Sequence, residues 1–108
     1  MTKKKSQVIK EIIKEQNKNV CFLEEEFDEA IIGTCLKYGN IIVAAYSTYI
    51  CLKILIKKHG YDEQGAYEKF IDSIITKDIE DNYPVFINDF RKIKVFDLKN
   101  FDITTTID

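Results

Sequence analysis

Residues 30–47 read "AIIGTCLKYGNIIVAAYS", and the parsing of this stretch decides the fold. Its two apolar runs are rich in β-branched side chains, which crowd a helix and suit a pleated strand. Between them lies "YGN", and Gly39-Asn40 is a favoured two-residue hairpin turn because both residues tolerate positive φ. Two antiparallel strands are therefore predicted, at about 30–37 and 41–46. In the second, Ile41, Val43 and Ala45 fall on one face and Ile42, Ala44 and Tyr46 on the other. A strand that is apolar on both faces is covered on both, which makes it central rather than an edge.

Downstream, Ser47 is a stop signal and N-cap for "TYICLKILIKKHG" (48–60), a helix apolar around most of its circumference and closed by Gly60 in a left-handed cap. Asp62 caps a second helix, "EQGAYEKFIDSIITK" (63–77), whose inward stripe is Ala66, Phe70, Ile71, Ile74 and Ile75. The connection is so short that the two form a tight αα-hairpin. "YPVFI" (83–87) reads as a short strand starting at Pro84, where a missing N–H is tolerated. Upstream, Ser6 is the predicted cap of an amphipathic helix carrying Val8, Ile9, Ile12 and Ile13 in one narrow stripe. At the other end Phe101, Ile103, Thr105 and Ile107 alternate on one face, which predicts a closing β-hairpin.

The resulting order is α-ββ-αα-β with a C-terminal β-hairpin: an α+β fold with a small antiparallel sheet packed against an αα-hairpin. At 108 residues the chain is expected to be one domain, 1–108. Within it, 1–19 hold the N-terminal amphipathic helix, 26–88 the core and 89–108 a C-terminal extension.

Composition narrows the function classes. Hydrophobic residues make up 45% and charged residues 31%, the balance of a globular chain rather than a disordered one. A net charge of −2 is a poor match for a protein held to nucleic acid by phosphate contacts, so no direct nucleic-acid partner is expected. The charge is nevertheless blocked: six Lys against two Glu in residues 1–19, and five carboxylates at Glu24, Glu25, Glu26, Asp28 and Glu29. No basic segment leads into an apolar run of signal-peptide type, and no stretch is long and apolar enough to span a bilayer; a cytoplasmic, non-membrane protein is expected. Cys21, Cys35 and Cys51 sit beside apolar neighbours and read as small buried hydrophobes in a reducing compartment.

Catalytic chemistry finds few candidates. His59 is the only histidine, and at a helix C-terminus its simplest role is to meet unpaired carbonyls and the negative end of the helix dipole. The cysteines and His59 show no metal-ligand spacing, and the glycines form no phosphate-cradling loop, so neither a metal nor a cofactor is expected. An EF-hand register starting at Glu24 needs Gly sixth and Glu twelfth, where this chain has Glu29 and Cys35. The acidic run therefore reads as a solvated turn entering a strand or as a surface facing a protein partner. Tyrosines at turns and helix starts, above all Tyr38, Tyr46 and Tyr49, are either boundary residues of an ordinary core or the lining of an aromatic groove.

Four stretches in order carry a resemblance: "EFDEAIIG" (26–33), "YSTY" (46–49), "GYDEQGAYEKF" (60–70) and "YPVFI" (83–87). They resemble a family of small phage and prophage proteins with an F-D-[DE]-A-I-I-G motif, and the resemblance covers about residues 26–88. Phe27, Asp28, Gly33, Pro84 and Phe86 match it. Between Phe70 and Pro84 the chain departs, with Ser73 and "ITKDIEDN" where Asn and Gly are usual. The shared motifs belong to a fold rather than to a catalytic centre, so the resemblance carries no functional residue over. It implies a non-enzymatic accessory protein in the cytoplasm of a bacterial host, acting by stoichiometric binding to a host or defence protein such as a CRISPR effector. Its expected contact surfaces are the Lys-rich first helix, Glu24–Glu29 and the "RKIK" segment (91–94). The alternative is a small-molecule binder, a sponge for a nucleotide immune signal held by the aromatic groove. Strand edges and the apolar helix stripe are compatible with a homodimer.

Overall fold

The computed structural model describes residues 4–77 and 80–89. Strands β1 (Ile31–Lys37) and β2 (Ile41–Ser47) pair antiparallel, and β3 (Val85–Ile87) lies along the other side of β2. β2 is the middle strand and is buried from Val43 to Ser47. Among the described residues a small three-stranded sheet with several helices is compatible with the α+β class.

The sheet differs from the all-antiparallel expectation. β3 runs parallel to β2, with Ala45 opposite Val85, Tyr46 opposite Phe86 and Ser47 opposite Ile87. The intervening chain holds α2 (Thr48–His59) and α3 (Glu63–Ser73), a crossover long enough to return it to the end of the sheet where β2 begins. The direction of so short a strand is not encoded in its own alternation.

The hairpin turn also sits one residue earlier than Gly39-Asn40. Tyr38 and Gly39 take the positive φ values, 54° and 81°, and the Asn40 N–H donates to the Lys37 carbonyl at 3.2 Å. The turn therefore leaves a non-glycine residue, Tyr38, in the left-handed region.

Helix caps are local and fall where the sequence puts them. Ser47 ends β2 and starts α2 without a loop, its Oγ accepting from the Ile50 N–H at 3.2 Å. Gly60 closes α2 at φ 75°, and Asp62 Oδ1 accepts from the Gly65 N–H at 2.6 Å to open α3. The first helix, α1 (Lys5–Gln16), is different: Lys4 is its cap residue, and no side chain caps it. The Lys4 carbonyl accepts from Gln7 and Val8, so Ser6 lies inside the first turn rather than before it.

Only part of the α1 stripe docks. Ile13 is buried and Ile9 packs against the core, whereas Val8 and Ile12 are 41% and 49% exposed. Asn17 ties the end of α1 to the body: its Nδ2 donates to the Ile42 carbonyl at 2.8 Å and to Asn82 Oδ1 at 2.9 Å. The acidic run, expected as a solvated turn, is a 3₁₀ helix over Glu25–Ala30 that buries Phe27, Asp28 and Ala30. The core beneath it gathers Phe27, Ile31, Tyr46, Leu55 and Phe70. Phe86 meets Phe70 edge-on at 5.2 Å and Tyr46 at 6.0 Å. Each such fully buried side chain contributes roughly 1.5–3 kcal/mol. Among the described residues no helix is long and apolar enough to cross a membrane. The expected C-terminal hairpin and the "RKIK" segment lie outside the described residues.

Candidate functional site

A cleft of about 500 Å³ opens where the chain before the 3₁₀ helix faces the end of α2 and the second half of α3. Phe22, Leu23 and Glu24 line it from the first of these, and Glu26 and Phe27 from the 3₁₀ helix. Leu55, His59 and Tyr61 form the α2 side. Lys69, Ser73 and Lys77 follow one another at intervals of four along α3 and the short 3₁₀ turn after it, with Ile74 and Tyr83 beside them. Lys69 and Ser73 share a face of α3 by their interval of four, and Lys77, in the turn beyond the helix, lines the same cleft.

The polar centre of the cleft is a pair. His59 Nε2 lies 2.7 Å from Glu26 Oε1. With neutral imidazole, Nε2–H donates to the carboxylate and Nδ1 keeps the lone pair; with imidazolium the contact is an ion pair. Both side chains retain solvent contact, which holds such a pair to about 1 kcal/mol or less. His59 therefore reaches sideways to the 3₁₀ helix, a different role from meeting the carbonyls of its own last turn. Its ring lies 6.3 Å from that of Tyr61. Tyr83 is aimed by its hydroxyl, which donates to the Ile74 carbonyl at 2.7 Å.

The structure divides the acidic run among three environments. Glu24 and Glu26 line the cleft. Asp28 is 6% exposed and accepts from Lys10 Nζ at 3.0 Å, fastening α1 to the 3₁₀ helix. Glu25 and Glu29 are exposed, Glu29 at a second depression between the start of α1 and β1. A 3₁₀ helix repeats every three residues, so adjacent carboxylates are turned to different sides. The run is thus not one continuous patch.

The three tyrosines singled out above are not brought together. Tyr38 stands 74% exposed on the hairpin turn, with Lys37 Nζ 5.9 Å from its ring centre. Tyr46 is fully buried, contrary to its reading as a turn residue, and its hydroxyl oxygen accepts from the Leu23 N–H at 2.9 Å. Tyr49 is half-buried in the first turn of α2, under Lys53 at 5.3 Å. Tyr38 and Tyr49 lie beyond opposite ends of β2, and none of the three lines either depression.

The thiols lie away from this site. Cys51 is fully enclosed in the core, and burial pushes it up to about 12. Cys21 is partly exposed, not buried as expected; it donates to Glu80 Oε1 at 3.1 Å. Burial first, then that hydrogen bond and the Glu80 charge, raise it to about 11. Cys35 lies half-buried on β1. None of the three lines the cleft, so His59 has no thiol to activate there. Among the described residues no group of three or more His, Cys, Asp or Glu converges as a metal site.

What the sequence reading missed is the cleft itself: Phe22, Lys69, Ser73 and Lys77 were not candidates. The spacing of Lys69 and Ser73 on one helix face was a visible signal, but only the fold shows that they share a cleft with Phe22 and Tyr61. Comparison with protein-family models, with curated proteins and with solved structures finds no match.

Proposed function

We propose that this protein acts by stoichiometric binding without turnover, with the cleft between the 3₁₀ helix, α2 and α3 as its binding site. The observation that carries this reading is a concave site with aromatic walls into which a few oriented polar groups converge. Covering partly exposed aromatic surface supplies affinity, and the polar groups select what enters. In this reading the His59–Glu26 pair serves as a polar contact for the occupant rather than as a base. The phage-type setting implied by the resemblance over residues 26–88 makes the target a host or defence component.

Capture of a protein is the second reading, favoured by the adjacent exposed side chains Val8 and Ile12 among the lysines of α1.

Native mass spectrometry of the purified chain, mixed with host extract, tests the proposal. A bound species at one copy per chain, chemically unchanged after prolonged incubation and lost in a cleft-filling Ser73→Phe variant, is the expected result. Chemical conversion of that species, or retention of it by the folded Ser73→Phe variant, would overturn the proposal.

A further inference from the structure

Beyond the existence of a binding site, the charges of the cleft distinguish its two sides. Lys69, Ser73 and Lys77 bring two cations and a hydroxyl donor to the cleft from α3 and the turn after it, and among the described residues neither lysine has an ion-pair partner. Glu26 is already engaged by His59. These donors are therefore matched to an anion with several acceptor oxygens rather than to a cation.

The aromatic part lies before the other end of α3: Tyr61 precedes the helix, whereas Lys69 stands in its second half. Tyr61 and the His59 ring beside it make an aromatic surface, and Phe22 lines the same cleft from the segment before the 3₁₀ helix. Glu24 lines the wall on the Phe22 side and offers acceptors to ligand N–H or O–H groups. A ligand that meets all three features is flat and aromatic at one end, hydroxylated or amino-substituted between, and doubly anionic at the other.

We propose that the cleft binds a nucleoside monophosphate, with the phosphate on Lys69, Ser73 and Lys77 and the base against Phe22 and Tyr61. This rests on the cleft being the binding site. A base stacks on an aromatic face whatever its identity, so the site reads the phosphate and the base plane more than the base edge.

Calorimetric titration of the full chain tests this with AMP and GMP as probes, and with adenosine and inorganic phosphate as partial probes. Binding of one monophosphate per chain is expected, at least about tenfold tighter than adenosine or inorganic phosphate, since each lost charged contact is worth about one such factor. A Lys69→Gln/Lys77→Gln variant should lose about tenfold or more for AMP while binding adenosine as before. Tyr61→Ala should weaken AMP and adenosine alike. Adenosine binding as tightly as AMP, inorganic phosphate binding as tightly as AMP, or AMP affinity unaffected by the double substitution would each overturn the inference. If neither monophosphate binds, it falls as well. The cleft reading then still stands, provided Ser73→Phe abolishes retention of a ligand from extract, so the two failures are distinguishable.

Discussion

Tyr46 and Cys51 retain their protons strongly because neither side chain has water around it. For Tyr46 burial is the largest cause and outweighs the hydrogen bond from Leu23, leaving the hydroxyl above its ordinary range. For Cys51 burial acts alone and raises the thiol from 9.0 to about 12. Both folded values are raised, so the sign follows. Below the unfolded thiol's value both states hold the proton and the stabilisation is fully present. Above it the unfolded chain releases its proton while the folded chain does not, and stability falls until the folded value is reached. For Cys51 alone the loss is about 1.4 kcal/mol per pH unit between about 9 and 12. Urea midpoints should therefore be flat to pH 8 and drop steeply by pH 11, and Cys51→Ala should remove part of the drop. A midpoint unchanged at pH 11 would refute this. Caps at Ser47, Asp62 and Gly60 were legible residue by residue because they involve only near neighbours. The strand pattern put Tyr46 on a covered face, but its partners were not legible, because Leu23 and Phe86 come from distant parts of the chain.

At the scale of elements, periodicity shows that a helix has an apolar stripe but not which part of it meets the body. In α1 the contact goes through Ile9 and Ile13, with Lys10 between them paired to Asp28 and lying 5.1 Å from the Phe22 ring centre. Ile13→Ala should lower stability by about 2–5 kcal/mol, the cost of a buried large-to-small change. Ile12→Ala, at a half-exposed position one residue away, should cost less than about 1 kcal/mol. Chemical denaturation of the two variants checks the contrast, and equal losses would mean that the whole stripe docks. Strand direction was hidden for a related reason. Alternation reports which face is buried, while parallel or antiparallel pairing depends on the route taken by two intervening helices. The hairpin strands themselves were legible because their pairing is local.

Among the described residues the acidic 3₁₀ helix is a junction, meeting α1 through the Asp28–Lys10 pair and the end of α2 through the Glu26–His59 pair. None of this was readable from the run of carboxylates, since Glu26 and His59 lie far apart in sequence and meet only when the helices pack. Asp28→Asn leaves the Lys10 ammonium without its charged partner in a partly buried site. Amide exchange in α1 should quicken by about 5–30-fold, the factor for a loss of one to two kcal/mol, while β2 keeps its protection. An equal change in both elements would show that α1 has no separate fastening. Of the site, sequence supplied Glu24, Glu26 and His59 as individuals. Their shared cleft depends on packing between segments that carry no common motif.

The parallel pairing of β3 has a kinetic consequence. β1 and β2 meet across a tight turn, so their association closes only a short loop and starts early. Joining Val85 to Ala45 must wait until the whole helical excursion has been gathered in, an entropic delay that grows with the length enclosed. Tyr83, immediately ahead of that late-arriving strand, brings with it one wall of the binding cleft. The hairpin contacts therefore precede those of Tyr83, and any occupant of the cleft that touches Tyr83 recognises only the completed chain.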